Sequence, residues 1–143
     1  MPNKKISILQ IEDDLIDTME MDRAAEKIQV PCEIYHAKNG AEALTMLRSQ
    51  ITPPHFIFLD INLPQMNGFE FLQALRADER LSKAVVFILS TSSREQDIVL
   101  AYQHHVAGYI NKDQLENGFA DVITMLNAYF SVVSFPNQEP ISC

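Results

Sequence analysis

Basic residues are scarce in this chain: 11 Lys and Arg stand against 19 Asp and Glu, for a formal net charge of −8. A surface that binds a phosphate backbone needs clustered Lys and Arg to displace counterions, so no direct nucleic-acid partner is expected. Cysteine is scarcer still. Cys32 and Cys143 lie far apart and form no CxxC pair, which argues against a disulfide framework or a zinc site and makes the cytoplasm the expected location. Long apolar runs are absent too: Ile6–Ile11 stops at Glu12-Asp13-Asp14, too short for a signal-peptide core, and nothing approaches the ~20 residues that span a bilayer. No membrane association is expected. Glycine is low, at four, while 47% of the residues are hydrophobic and 21% charged; that is the composition of a globular chain, neither disordered nor fibrous. At 143 residues the length suits one domain of roughly 100–200 residues, so any function is expected to reside in a single small module.

Five short apolar runs are present: Ile6–Ile11, Cys32–Ala37, Phe56–Leu59, Ala84–Leu89 and Ala107–Ile110. Segments of helical period separate them. Leu15, Met19 and the Ala24/Ala25/Ile28 group mark the first, and Ala41, Leu44, Leu47 and Ile51 the second, opened by a cap at Asn39. Phe69, Leu72 and Leu75 mark the third. Ser92-Ser93-Arg94-Glu95 opens the fourth, and Leu115, Phe119, Val122, Leu126 and Tyr129 mark the fifth. Strict alternation of this kind predicts a five-stranded parallel sheet, doubly wound, with helices on both faces.

In such sheets functional groups gather at the carboxyl ends of the strands. Here those ends carry Glu12-Asp13-Asp14, Asp60-Ile61-Asn62, Ser90-Thr91 and Asn111-Lys112. Carboxylates brought together either raise one another's pKa or recruit a cation, and a hard divalent ion with oxygen ligands, Mg²⁺, is the expected one. Lys112 would offer a compact charge and Ser90 a hydroxyl to a transferred phosphoryl group, and Asp60, on a rigid strand end, would be the nucleophile. Taken singly, each of these residues has a plainer explanation. An acidic triplet after a strand is usually a solvated loop or a helix cap, and Asp14 is expected to be such a cap. The weight comes from four strand ends, in order, each bearing a group that phosphoryl chemistry uses.

The stretches Ile8-Leu9-Gln10-Ile11-Glu12-Asp13-Asp14, Phe58-Leu59-Asp60-Ile61-Asn62-Leu63-Pro64-Gln65-Met66-Asn67-Gly68, Ile88-Leu89-Ser90-Thr91-Ser92 and Gly108-Tyr109-Ile110-Asn111-Lys112 together resemble the receiver domain of two-component response regulators. The resemblance spans about residues 5–130. It implies a flavodoxin-like receiver fold over residues 1–131, with 132–143 as a C-terminal extension. It implies Asp60 as phosphoacceptor and Glu12, Asp13, Asp60 and the backbone carbonyl of Asn62 as ligands of Mg²⁺. Ser90, Lys112 and the switch residue Tyr109 complete the site. The implied function is that of a single-domain regulator, phosphorylated by a sensor histidine kinase or phosphotransfer protein and passing the signal to a downstream protein, with no enzymatic activity beyond its own phosphorylation and dephosphorylation. Asp17, after Glu12-Asp13-Asp14, is similar to stand-alone regulators associated with bacteriophytochrome-type kinases.

One position departs from the family pattern, which follows the lysine with a proline and a cis bond. Lys112 is followed by Asp113. A cis bond before a non-proline costs about 2.5–4 kcal/mol, so a trans bond and an altered lysine loop are expected, with Asp113 as N-cap of the last helix. Two other readings compete: a pseudo-receiver that only binds partners, and a Mg²⁺-dependent phosphatase of the haloacid dehalogenase type. The latter needs an Asp two residues after its nucleophile, where this chain has Asn62. His104-His105 reads as a solvated helix end and Cys32 as a small core residue. A second apolar stripe on the last helix, Ile123, Phe130 and Val133, calls for a second burial partner, either a homodimer or effector surface or the chain's own folded-back extension.

Overall fold

The computed structural model describes residues 6–29 and 31–135. In chain order it contains β1 (Ile6–Ile11), α1 (Leu15–Ala25), β2 (Cys32–Ala37), α2 (Gly40–Thr45), β3 (Phe56–Leu59), α3 (Gly68–Ala77), β4 (Val86–Ser90), α4 (Glu95–Gln103), β5 (Gly108–Asn111) and α5 (Phe119–Val132). A wider helical turn, Met46–Gln50, continues α2, and a 3-10 turn, Lys112–Gln114, follows β5. The strands form one parallel sheet in the order β2-β1-β3-β4-β5, the expected doubly wound fold, whose strand order reverses at β1/β3. β3 and β4 are buried along their whole length, which is why they read as continuous apolar runs. On one face Leu9, Ile11, Ile57 and Leu59 pack with Phe71, Leu72 and Leu75 of α3. On the other, Ile8, Phe56 and Phe58 pack with Met21 of α1 and Phe119, Val122 and Leu126 of α5. Ile11 pairs with Leu59 and Ser90 with Asn111, so the residues that leave these strands emerge side by side at one edge.

The first helix corrects the sequence reading. Leu15 and Met19, expected on its buried stripe, are 71% and 54% exposed, and Ile16 is 67% exposed, while Met21 is fully buried. Successive residues turn by about 100°, so Met19 and Met21 stand on opposite sides of the helix and Asp17, one turn before Met21, shares its inward face. The helix ends at Ala25, and Ile28 packs on the same core layer from the turn beyond.

The last helix also begins later than its period implies. Gly118 takes a positive φ of 59° immediately before it, a conformation that cannot continue into an α-helix from Leu115. Asp113 is therefore not its N-cap. It lies in the 3-10 turn, where its N–H donates to the Asn111 side chain at 2.9 Å. No cis peptide bond occurs among the described residues, so Lys112–Asp113 is trans as expected.

The second apolar stripe of α5 meets the chain's own extension. Ile123 is buried in the sheet layer, and Phe130 lies against Phe56 with ring centroids 5.7 Å apart. Phe135 folds back edge-on to Phe56 at 5.9 Å and to His55 at 5.3 Å. The rest of the expected extension, residues 136–143, lies outside the described residues. Cys32 is half-buried against the α1/α5 layer.

Arg76, near the end of α3, holds the far side of the sheet together. Its guanidinium donates to the backbone carbonyls of His104 (2.8 Å), His105 (3.0 Å), Ser82 (2.9 Å) and Ala84 (2.7 Å). These are the closing turn of α4 and the segment that leads into β4, so the expected solvated end at His104-His105 is anchored through its backbone. Only a planar fork can serve four acceptors spread in this way. Arg76→Met is expected to lower the unfolding free energy by about 3 kcal/mol, because charge-assisted hydrogen bonds are lost and carbonyls are left unpaired. Arg76→Lys should recover less than half of that loss in urea unfolding.

Candidate functional site

Asp14 sets the geometry of the first corner. Its side chain accepts the N–H groups of Ile16 (2.8 Å) and Asp17 (3.3 Å), an N-cap that starts α1 directly after the acidic triplet. Glu12 and Asp13 are thereby left to face the sheet edge, and the Asp14 N–H donates to Glu12 Oε2 at 3.2 Å. Asp60 follows β3. The N–H of Asn62 donates to its Oδ1 at 3.0 Å, so the loop that Asn62 begins orients this carboxylate.

The loop closes on α3 through Gly68, whose N–H donates to Ile61 O at 3.0 Å. A Cβ at Gly68 would lie 2.5 Å from Ile61 Cα and 2.9 Å from Asp60 O. Neither backbone atom can yield, so glycine is required there. Asn67 and Glu70 form a reciprocal capping box at the start of α3, which fixes this close approach.

One carboxylate oxygen each from Glu12, Asp13 and Asp60 lie within 4.8 Å of one another. The donors are all oxygen, Glu12 and Asp60 are nearly buried and Asp13 faces solvent. Such a set fits a hard divalent cation that retains waters on its open side. Lys112 stands over the cluster. Its Nζ donates to Glu12 Oε1 at 2.6 Å, to Asp17 Oδ2 at 2.6 Å and to Asp60 Oδ2 at 3.4 Å. The lysine therefore reaches the site without the family's proline, because Asn111 caps the turn that carries it.

Ser90 is fully buried at the end of β4, and its Oγ accepts the Ser92 N–H at 3.3 Å. The Tyr109 hydroxyl donates to Ser92 O at 2.9 Å. Both hydroxyl residues thus hold the same loop residue, and Ser92 Oγ in turn donates to Asp97 of α4 at 2.6 Å. The expected residues Glu12, Asp13, Asp60 and Lys112 converge directly, Asn62 adjoins them through its N–H, and Ser90 and Tyr109 connect to the neighbouring loop. Asp17 was not foreseen as part of this site. Its sequence signals were the resemblance to phytochrome-associated regulators, which assigned it no role, and the helical spacing to Met21, which the exposed Leu15 and Met19 obscured.

Burial pushes the Glu12 carboxyl up to about 7, against the lowering effect of the Lys112 hydrogen bond and with the help of the Asp60 charge. For Lys112, burial acts to lower the pKa. The hydrogen bonds to Asp17 and Glu12 outweigh it and hold the ammonium above the ordinary lysine value.

Residues 8–124 match the family model described as the response regulator receiver domain. FilR2 of Methanothrix harundinacea, a probable methanogenesis regulatory protein, is 33% identical over 73% of this chain and 70% of its own length. Response regulator Rcp1 of Synechocystis sp. is 27% identical over 90% of this chain and 92% of its own, and its Mn²⁺-bound structure superposes with a TM-score of 0.77 at 26% identity, covering 95% of this chain and 100% of that one. The phosphorylated cyanobacterial phytochrome response regulator RcpA superposes with a TM-score of 0.84 at 29% identity, over 94% of this chain and 100% of that one.

The raised Glu12 pKa predicts how stability depends on pH. The folded state holds this proton between about 4.5 and 7, where the unfolded chain releases it. The contribution is therefore fully present below about 4.5 and is lost as pH rises through about 7. In urea unfolding of chelator-treated protein, Glu12→Gln is expected to gain on the parent chain between pH 5 and pH 8. If the carboxylate cluster holds a divalent cation, adding one should stabilise the parent more strongly at pH 8, because a carboxylate must be deprotonated to bind it.

Proposed function

Because the chain belongs to the response regulator receiver family, we propose that it works as a phosphorylation switch whose phosphoacceptor is Asp60. The observation that carries this reading is the convergence of Lys112 and the Glu12/Asp13/Asp60 carboxylates on one sheet edge. Mg²⁺ is the proposed ion, held by Glu12, Asp13, Asp60 and the carbonyl of Asn62; when bound, it supplies positive charge to phosphoryl oxygens. An Asp60 oxygen attacks the phosphorus of a donor phosphohistidine or acyl phosphate. One P–O bond forms as the donor's P–N or P–O bond breaks, and the imidazole or carboxylate leaves. Lys112 neutralises charge on the transferred group, which the protein positions without acting on other substrates.

The response to phosphate runs through Ser92. Its N–H is held by Ser90 and its carbonyl by Tyr109, so a phosphoryl oxygen that draws the Ser90 hydroxyl disturbs both contacts and releases the aromatic ring to move. The surface formed by α4, β5 and α5 then changes for a downstream protein partner. This is a two-state element biased by a local charge. Asn62 and Ser92, flanking the site, would set how readily water attacks the acyl phosphate.

The donor is proposed to be a sensor histidine kinase or phosphotransfer protein that docks on α1. Its outward face shows Leu15, Ile16 and Met19 one turn from the acidic cluster, an apolar patch suited to a protein partner. For α5, the folded-back Phe135 covers Phe130, so a homodimer on this helix would be built around the exposed Val132. We take residues 1–131 as the receiver module and 132–143 as its C-terminal extension, of which Phe135 packs against Phe56 and Phe130.

Acetyl phosphate with Mg²⁺ should add one phosphoryl group by intact-mass measurement, and Asp60→Asn should abolish the gain. A parent chain that no phosphodonor modifies would instead be a binding scaffold, and turnover of an added phosphoester would mark a phosphatase. Ile16→Asp is expected to slow transfer from a phosphorylated kinase domain by at least tenfold while leaving the rate with acetyl phosphate within twofold of the parent, because the small donor needs no protein interface.

A further inference from the structure

Lys112 has three ammonium protons, and the structure assigns each one an acceptor. Glu12 and Asp17 take the two short contacts at 2.6 Å, and Asp60 is left with the long one at 3.4 Å. Charge-assisted N–H···O bonds are strongest near 2.7–2.9 Å and weaken beyond that, so the lysine is committed mainly to Glu12 and Asp17. Asp17 is only 22% exposed in its side chain and Lys112 11%, which limits the screening of this pair by water. Nor is Asp17 free to drift. The Asp14 side chain accepts its N–H, and the buried Met21 one turn on fixes which face of α1 points inward.

We propose that Asp17 is a positioning residue that holds the Lys112 ammonium back from Asp60, so that a phosphoryl group arriving on Asp60 must win the lysine from it. The proposal rests on the phosphoacceptor reading of Asp60. A phosphoryl group carries more negative charge than the carboxylate it replaces and offers three oxygens, so it attracts the ammonium more strongly than Asp60 alone. What it gains is reduced by whatever Lys112 gives up at Asp17. The carboxylate on α1 thereby lowers the stability of the phosphorylated state and keeps the unmodified site closed on itself.

The test uses beryllofluoride, a phosphoryl mimic that forms on the acceptor carboxylate without turnover, titrated at saturating Mg²⁺. Asp17→Asn is expected to lower the beryllofluoride Kd by about tenfold, the order expected for one competing charge-assisted contact. Asp17→Ser should shift it in the same direction. Glu20→Gln removes an equal charge from an exposed position on the same helix and should change Kd by less than twofold. An unchanged or weaker affinity in both Asp17 variants would overturn the holding role, as would an equal gain in Glu20→Gln, which would make the effect one of net charge. A merely structural role for Asp17 would weaken binding, the opposite direction. Absence of beryllofluoride binding by the parent chain would instead overturn the phosphoacceptor reading and the holding role with it.

Discussion

A single ammonium is shared by three carboxylates that arrive from three separate parts of the chain. Glu12 comes from the end of β1, Asp17 from the first turn of α1 and Asp60 from the end of β3, and Lys112 touches all of them. Parallel strands with adjacent carboxyl ends bring these groups together whether or not their charges agree. Unbalanced, like charges in a nearly buried setting would protonate or repel, and the raised pKa of Glu12 shows how close this site comes to that limit. The desolvation cost of nearly buried ion pairs can exceed their Coulombic gain, so stability is not the argument for this one. Its effect is to leave a site poised for additional positive charge, which a divalent cation supplies, and for a competitor that can take the lysine away.

Most of the remaining architecture serves to keep that poise in place. Gly68 allows α3 to close against the backbone of Asp60 and Ile61, a distance that even one methyl group would prevent. Asn111 caps the turn that carries Lys112, doing locally what a proline would do by fixing a backbone angle. On the far side of the sheet Arg76 binds the end of α4 to the segment before β4. With α4 anchored at its C-terminal end, movement at its N-terminal end, where Ser92 and Asp97 meet, is the freedom that remains.

The elements legible in the sequence were those whose signal is local or redundant. Five apolar runs gave five strands, of which β3 and β4, buried on both faces, need no alternation to be recognised, and the acidic residues and the lysine read at the strand ends are brought together at one sheet edge. The misread elements failed for identifiable reasons. Leu15 and Met19 carry a helical period but lie on the outer face, because one Met and the small Ala24 suffice to fill the inner one, and hydropathy does not say which of two stripes faces the sheet. Leu115 continues the spacing of α5 across Gly118, where the backbone interrupts it. Asp113 was expected to cap the last helix from its type and place, yet it lies in a 3-10 turn capped by Asn111, and α5 starts after Gly118 with no side-chain cap. The roles of Asp17 and Arg76 were beyond the reach of sequence reasoning, because Lys112 lies 95 residues from Asp17, and two of the four carbonyls that Arg76 binds, those of His104 and His105, lie 28 and 29 residues from it, where only the fold brings them near.

The inversion of α1 joins two properties that would otherwise be independent. The turn that presents Leu15, Ile16 and Met19 to the outside is the turn that presents Asp17 to Lys112, and an α-helix transmits a rotation or a small displacement to every residue of a turn together. A protein that docks on the outer face therefore bears on the group holding the lysine. A small phosphodonor, making no contact there, finds the lysine in its resting place. On this argument a partner could assist transfer by moving α1 a few tenths of an ångström, lengthening the Asp17 contact and releasing Lys112 toward Asp60, without contributing any side chain to the chemistry. The same geometry works in reverse: on the proposed reading, a phosphoryl group that drew Lys112 away would leave Asp17 without its counter-charge on the inner side of that same turn.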